Sequence, residues 1–159
     1  MDKTETIRQE AEELVKKMID KYEIDIEEED GIHHVIIRTE EEAPTIIGRH
    51  GETIRSIQKI LEVILYKKLG EPVNILVNVN DYREKQRERL ETLAKQSIDR
   101  VKQEQKPVYL RGFSSYERKI IHEYITQNFP EFTTYSIGEG KDRRLVVNLK
   151  SGEEKQPES

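Results

Sequence analysis

Apolar residues recur at three- and four-residue intervals over two stretches of the first half of the chain, which predicts two amphipathic helices. The first is expected over residues 5–20, with a stripe formed by Ile7, Ala11, Leu14, Val15, Met18 and Ile19. The second runs to about Lys68, with a stripe formed by Ile54, Ile57, Ile60, Leu61, Ile64 and Leu65. Gly70, just beyond it, is a typical helix stop.

Alternating apolar and polar positions predict three strands around these helices. Residues 23–28 and 33–39 flank Asp30-Gly31, a dipeptide typical of a hairpin turn. An acidic loop and a break at Pro44 follow, and residues 45–47 are expected to form a short helical turn. The third strand is expected over 73–79, with Val73, Ile75, Val77 and Val79 on one face and Asn74, Leu76 and Asn78 on the other.

A long helix is predicted to open the second half of the chain, where Asp81 and Glu84 have the spacing of a capping box. Its first turns are almost wholly charged, and an apolar stripe begins only at Leu90 and continues to Val101. We therefore expect the helix to start as a solvated connector and to pack against a following module. Pro107 ends it.

A small α+β unit is predicted after that helix. Ser114 and Glu117 have the spacing of a second capping box, which starts a helix that Pro130 ends. Three strands accompany it, at residues 108–110, 132–137 and 144–149. The polar residues 151–159 show no periodicity and are expected to be disordered.

The charged residues are segregated along the chain in a way that the total conceals. The 159 residues include 32 acids and 27 bases, a formal net charge of −5. Residues 1–43 hold 15 acids and 6 bases, a net of −9; residues 44–68 (5 bases, 2 acids) and 106–150 (8 bases, 5 acids) each have a net of +3. Because the Debye length is about 8 Å at physiological salt, local sign matters more to a polyanion than the total. The pattern argues against a whole-surface polyanion binder and permits two confined sites.

Several classes of protein are excluded or disfavoured. Cysteine is absent, so disulfides, thiolate metal sites and a cysteine nucleophile are excluded. No apolar run approaches about 18 residues and the N-terminus lacks an apolar segment, so we expect a cytoplasmic protein without membrane insertion. His33 and His34 are neighbours in a predicted strand, expected at or near the surface on opposite faces and not on one metal. His122-Glu123 lacks the second histidine of the HExxH motif, and the acidic run 25–30 is interpreted as solvated charge. We expect no enzyme, no cofactor and no metal site.

Two glycines lie where the short helical turn ends and the second helix begins, in the sequence Gly48-Arg49-His50-Gly51. Glycine permits positive φ and lets a ligand approach the backbone closely. The helix that follows turns its N–H groups and positive dipole end toward the loop, and Arg49 and His50 add potential donors. The loop suits a sugar–phosphate backbone, although a GxxG sequence alone leaves a plain tight turn open.

The order helix, strand, strand, short helix, GxxG, helix, strand over residues 5–79 resembles a KH domain of the prokaryotic (type II) topology. In KH domains the GxxG loop clamps about four backbone nucleotides. The resemblance implies a groove in which aliphatic side chains contact the bases. The candidates are Ile46, Ile47 and Ile54, each equally open to a core role, which we favour for Ile54.

Arg118 and His122 are four residues apart in a predicted helix and so share one face. The stretch from Ser115 to His122 resembles the motif of R-three-H domains, small α+β modules implicated in single-stranded nucleic-acid binding. Arg118 offers five donors for phosphate or for stacking on a base; His122 can donate or stack, with packing as its alternative role. The positive surface is expected to come from Lys119, Lys141, Arg143 and Arg144.

A KH domain, a connecting helix and an R-three-H module in this order resemble the Jag (KhpB) family of bacterial RNA-binding proteins, over residues 5–150. Asp81-Tyr82-Arg83-Glu84 and Tyr116-Glu117-Arg118 are further points of resemblance. Many members carry an additional N-terminal domain and a linker, and this chain begins directly at the KH helix, so the role of that domain is not carried over. The predicted organisation is a KH domain over 1–80, a connecting helix over 81–105 that partly belongs to the next module, and an R-three-H domain over 106–150.

The resemblance implies an α+β protein that binds single-stranded RNA as a post-transcriptional regulator or RNA chaperone affecting the cell envelope and cell division. It also implies a small single-KH protein as a partner. The alternative is a protein-interaction adaptor, which pairs KH folds, is linked to membrane-protein insertion and binds little RNA of its own. The acidic residues 1–43 would then be the docking face.

Overall fold

The helices and strands predicted from the sequence are present in the computed structural model, which describes residues 2–150. In chain order they are α1 Lys3–Val15, β1 Glu23–Glu29, β2 Ile32–Arg38, α2 Ala43–Ile47, α3 Glu52–Leu69, β3 Ile75–Val79, α4 Tyr82–Glu104, β4 Val108–Leu110, α5 Ser115–Asn128, β5 Phe132–Ile137 and β6 Arg144–Leu149. Short 3₁₀ turns lie at Arg49–Gly51 and Gly140–Asp142. The predicted disorder of residues 151–159 lies outside the described residues.

The first sheet has the strand order β1-β2-β3. β1 and β2 form the predicted hairpin, with Glu29 opposite Ile32. Asp30 and Gly31 in the turn both have positive φ, 52° and 78°, as a two-residue turn between twisted strands requires. β3 pairs with β2 in parallel, which the long connection through α2 and α3 allows.

One buried core joins this sheet to α1 and α3. The buried side of α3 consists of Ile54, Ile57, Leu61 and Leu65. Helical spacing predicts Ile60 in the same stripe, but it is 46% exposed, and Ile64 is partly exposed. An α-helix turns about 100° per residue, so Ile60 is rotated away from Leu61 and the buried face is narrower than the apolar one.

Helix α1 is shorter than predicted, because it ends at Val15 and not at residue 20. A turn follows in which Met18 is exposed, whereas Ile19 is buried. Ile19 therefore reaches the core from a turn and not from the helix. It follows Val15 by four residues, which is why the sequence pattern predicted a longer helix.

Pro44 lies inside the first turn of α2 and does not break the chain ahead of it. Proline is tolerated at that position because its missing N–H has no helical partner to lose. The short helical turn predicted at residues 45–47 therefore starts earlier, at Ala43.

His33 is buried, which corrects the expectation that both strand histidines lie at or near the surface. It shares the core side of β2 with Val35 and Ile37, and His34 points to the other face, partly exposed. The Nε2 atom of His33 lies 3.6 Å from a carboxylate oxygen of Glu28.

The second sheet has the order β4-β6-β5 and is antiparallel throughout. Helix α5 begins with the predicted capping box: the Ser114 hydroxyl accepts from the Glu117 N–H, and the Glu117 carboxylate accepts from the Ser114 N–H. The second half of α4 buries Leu90, Ala94, Ile98 and Val101. Gln86 is also buried, whereas the charged residues around it are exposed, namely Glu84, Lys85, Arg87, Glu88 and Arg89.

The chain divides into two compact units, with the boundary between Arg83 and Glu84 near the start of α4. Each unit has its own sheet and its own buried core. Within residues 2–150 no helix is both long and apolar enough to cross a membrane. In the same residues no group of three or more His, Asp or Glu side chains is placed to hold a metal ion.

Candidate nucleic-acid interface

The GxxG loop joins α2 to α3 in a backbone conformation that depends on glycine. Gly48 has φ 74° and ψ 175°, and Gly51 has φ 74° and ψ 16°. His50 between them is also left-handed, with φ 56°. The Gly51 N–H donates to the Gly48 carbonyl at 3.2 Å, which closes the loop as a tight turn.

Gly48 leaves no room for a side chain. A Cβ atom at this position would lie 2.1 Å from Oγ1 of Thr53 and 2.9 Å from the Thr53 backbone nitrogen. Its φ and ψ also fall in a region that essentially only glycine adopts. Glycine is therefore required at this position for the loop to pack against Thr53.

Replacing Gly48 with alanine is expected to lower the free energy of unfolding of the first unit by about 2 kcal/mol, since the variant combines backbone strain with the Thr53 contact. Gly70→Ala is the matched control. Gly70 also has positive φ, 73°, but a Cβ there meets nothing within 4 Å. Thermal unfolding of both variants measures the difference, and equal melting temperatures would contradict the steric argument.

Helix α3 follows the loop directly; its N-cap residue Gly51 is buried and its first residue, the acidic Glu52, is exposed. Gly51 has no side chain with which to cap the helix. N–H groups at a helix start carry partial positive charge and attract anions. Arg49 is exposed and His50 is partly exposed next to them. Of the four loop residues predicted from the sequence, Gly48 is also partly exposed and Gly51 is buried.

Two side chains that were not assigned from the sequence support the loop. The Nη1 atom of Arg55 donates to the His50 carbonyl at 2.8 Å. The Tyr82 ring lies 3.1 Å from where a Cβ of Gly51 would be, so Gly51 is needed for close packing as well as for its positive φ. Arg55 follows Gly51 by one helical turn, a spacing that could have indicated its role.

Two of the three aliphatic candidates for a base-binding groove face the core. Ile46 and Ile54 are 0% and 2% exposed, which confirms the core role favoured for Ile54 and excludes the Ile46 side chain from a surface groove in this structure. Ile47 packs against the same core and keeps part of its surface exposed. Ile47 is therefore the candidate that a base could contact.

Arg118 and His122 share one face of α5, as predicted, and line an open concavity of about 470 Å³. The other cations that line it are Lys119 and Arg143. The hydroxyl-bearing residues that line it are Ser115, Thr134, Tyr135 and Ser136. The concavity thus combines positive charge with small polar groups, a combination suited to phosphate.

Backbone carbonyls position the two arginines of this concavity. Arg118 Nη1 donates to the Phe113 carbonyl at 2.7 Å, and Arg143 Nη1 donates to the Gly138 carbonyl at 2.8 Å. Burial, and then the positive charge of Arg143, lower the pKa of the Arg118 guanidinium. Arginine stays charged at physiological pH, so two like charges face a shared space. An anion in that space would relieve their repulsion.

The His122 ring is positioned by β5. Its Nδ1 atom contacts the hydroxyl of Thr134, which is buried, while the ring is exposed. This contact leaves Nε2 as the nitrogen that can meet a ligand. Thr134 was not assigned from the sequence, although Phe132, Thr134 and Ser136 alternate along β5 and so share the side that faces α5.

The remaining two predicted cations lie elsewhere. Lys141 and Arg144 are not among the described residues that line the Arg118 concavity. Lys141 is exposed in the turn Gly140–Asp142. Arg144 begins β6 and lies over the Tyr109 ring, 5.7 Å from the ring centre. The basic surface expected from Arg143-Arg144 is therefore divided, because these neighbours point to different sides of the sheet.

Comparisons with known proteins assign each unit separately. The family model described as "KhpA/KhpB, KH domain" matches residues 5–77, and the model of the R-three-H domain matches residues 88–149. The unit with the GxxG loop is thus a KH domain and the unit with Arg118 and His122 is an R-three-H domain, in an α+β chain.

Curated relatives agree with this pairing of domains. The chain is 34% identical over 113 residues to the RNA-binding protein KhpB of Bacillus subtilis (strain 168), covering 70% of this chain and 54% of the relative. It is 34% identical over 105 residues to that of Clostridium symbiosum, covering 66% and 47%. It is 35% identical over 103 residues to the RNA-binding protein KhpB of Streptococcus pneumoniae serotype 2, covering 65% of this chain and 31% of the relative. The chain belongs to the Jag (KhpB) family, and its match spans between about a third and about half of the length of these relatives.

Proposed function

We propose that this chain binds single-stranded RNA without catalysing a reaction, with one contact at the GxxG loop and a second at the Arg118 concavity. The relatives are named RNA-binding proteins, which supports the proposal. Two weak contacts joined in one chain gain affinity, since binding at the first raises the effective concentration of RNA at the second.

The observation that carries the proposal is the geometry of the GxxG loop. Gly48 and Gly51 both have φ 74° and carry no side chain over the loop backbone. Arg49 is exposed beside these backbone groups. A phosphate placed there would meet the α3 N–H groups and a guanidinium together, which suits a nucleic-acid backbone.

RNA binding is expected to weaken steeply as salt concentration rises. Each phosphate contact to a single strand contributes about −0.7 to the slope of log K against log salt. Four contacts at the KH domain alone would give a slope of about −2.8. Fluorescence anisotropy of a labelled 20-nucleotide RNA of mixed sequence, titrated between about 50 and 300 mM NaCl, measures the slope. A flat response, or no binding at low salt, would contradict the proposal.

The biological role we propose is that of a cytoplasmic post-transcriptional regulator or RNA chaperone that affects the cell envelope and cell division. The family relationship supports this role, and sequencing the transcripts crosslinked to the chain in cells would identify its targets. The full relatives are longer than this chain, so the role is proposed for the KH and R-three-H domains alone.

A protein-interaction adaptor is the second candidate, and an exposed apolar stripe on α3 favours it. Ile60, Val63 and Tyr66 follow one another at three-residue intervals and are 46%, 59% and 57% exposed. Exposed apolar surface of this kind marks interaction sites. A small single-KH protein would be the partner, with a link to membrane-protein insertion. The salt titration separates the candidates, because an adaptor that ignores RNA gives no slope.

A further inference from the structure

A row of three side chains crosses the outer face of the R-three-H sheet. Tyr109 of β4 lies opposite Val146 of β6, and Val146 lies opposite Tyr135 of β5. Side chains alternate along a strand. The residues of β4 and β6 that enter the core of this unit are Val108, Leu110, Leu145 and Val147. The tyrosine row, defined as Tyr109, Val146 and Tyr135, therefore lies on the face turned away from that core.

The tyrosine row presents aromatic surface to solvent. Tyr109 is 49% exposed, and Tyr135 is partly exposed and also lines the Arg118 concavity, so the row adjoins that concavity at one end. Val146 is 1% exposed although it lies on the outer face. Neighbouring strands are about 4.8 Å apart, so the two tyrosines are about 10 Å apart and can serve two separate planar groups.

Arg144 adds a positive charge to one end of the row. Its guanidinium lies 5.7 Å from the centre of the Tyr109 ring, within the range of a cation–π contact. Its Nη1 donates to the Asp142 carbonyl at 3.1 Å. Its Nε atom is buried and has no hydrogen-bond partner among the described residues. The arginine is thus held against an aromatic ring while part of its donor capacity is unused.

The three strands of this sheet contain no Asp or Glu, in a chain that has 32 of them. Arg144 is the charged residue within these strands. The KH sheet is different, because β1 alone carries five acids in the sequence EIDIEEE. An anionic chain would be repelled at β1 but not along the tyrosine row. The positive charge of Arg144 favours a polyanion as the occupant, and the tyrosine rings favour one that carries planar groups.

We propose that the tyrosine row and Arg144 form a platform on which bases of single-stranded RNA stack. The platform rests on the proposed RNA-binding function and adds a contact surface to the GxxG loop and the Arg118 concavity. Stacking on aromatic rings tolerates any base, because every base has a π-face, and Arg144 would attract the adjoining phosphate. Sheet faces with exposed aromatic side chains bind RNA in this way in other folds.

The test compares two probes on the full chain: a 20-nucleotide oligouridylate, and a chain of 20 abasic ribose phosphates that offers the same charge without bases. Tyr109→Leu should weaken oligouridylate binding about tenfold and leave abasic binding unchanged. Tyr109→Phe keeps the ring and should bind as the wild type does. Tyr66→Leu removes a tyrosine of similar exposure, 57%, from the KH domain and is the matched control. Its affinities should equal those of the wild type.

A second measurement locates the contact directly. Oligouridylate that contains 5-iodouridine should crosslink to Tyr109 on irradiation, and mass spectrometry should find the crosslinked peptide. Wild-type affinity of Tyr109→Leu for oligouridylate would overturn the platform while RNA binding stands. An equal loss on both probes would also overturn it, since the lost contact would not involve bases. If the wild type binds neither probe, the proposed function fails and the platform with it. A change of oligomeric state in Tyr109→Leu would assign the face to a second copy of the chain instead.

Discussion

Replacing Arg49 and His50 together with aspartate is expected to lower the affinity for a six-nucleotide RNA by about 100-fold, or about 2.7 kcal/mol. The exposed Arg49 guanidinium would be lost from the loop. Two carboxylates would then face the phosphate that the loop is proposed to hold, and like charges at an interface cost several kcal/mol. The six-nucleotide RNA is short enough for the KH domain to dominate its binding.

The KH domain should remain folded in this double variant. His50 has a left-handed backbone, φ 56°, which aspartate tolerates better than most residues do. The backbone carbonyl of residue 50 still accepts the bond from Arg55. Both new carboxylates lie at the start of α3, where negative charge is favourable. The melting temperature should therefore not fall, although RNA affinity does.

The control changes the net charge equally at another place. Lys67→Asp with Lys17→Asn changes the formal charge by −3, as Arg49→Asp with neutral His50→Asp does. Lys67 lies in the last turn of α3, about 22 Å along the helix from Glu52. The control should lose only a small part of the affinity through long-range charge. An equal loss in both variants would mean that overall charge, not the loop, determines RNA binding.

The periodicity of apolar residues, together with the residues at helix ends and turns, was enough to predict most of the fold. The hairpin around Asp30-Gly31, the end of α3 at Gly70 and the capping box of Ser114 each follow from the chemistry of a few adjacent residues. Such features depend on local backbone conformation, which sequence spacing reports directly.

Features set by packing were not predictable in the same way. Helical spacing placed Ile60 in the core stripe, yet the sheet covers a narrower face of α3. The KH resemblance made Ile46 a candidate for a groove, with a core role as its alternative, and it is fully buried. In both cases an apolar residue is compatible with two positions, and only the neighbouring elements decide between them.

The second site shows the same limit for polar residues. Spacing in α5 correctly put Arg118 and His122 on one face. The contact of His122 with Thr134 joins α5 to β5, and nothing local to either segment specifies it. Arg143 and Arg144 point to different sides of the sheet because of where β6 begins. A shift of the strand by one residue would move each side chain to the opposite face.

Replacing Arg118 with alanine is expected to weaken the binding of a 20-nucleotide RNA about tenfold and to leave the binding of a four-nucleotide RNA unchanged. About four nucleotides fill a KH domain, so the short RNA does not need the second contact. A longer RNA can occupy both sites, and loss of one removes the gain from effective concentration. Isothermal titration calorimetry with RNAs of 4, 8, 12 and 20 nucleotides measures the RNA length at which the affinities of variant and wild type begin to differ.

Arg118→Gln separates loss of charge from loss of structure in this experiment. Glutamine keeps part of the apolar stem of the partly exposed Arg118 but carries no charge for phosphate, and its shorter side chain lacks the Nη1 atom that bonds the Phe113 carbonyl at 2.7 Å. Arg118→Gln should therefore match Arg118→Ala in RNA affinity and exceed it in melting temperature. Lys95→Ala is the matched control and should bind both RNAs as the wild type does. It removes an exposed cation of α4 that is not among the described residues lining the concavity. An equal loss for the 4- and 20-nucleotide RNAs in the Arg118 variants would contradict a tandem footprint, because the short RNA would then depend on a residue outside the KH domain.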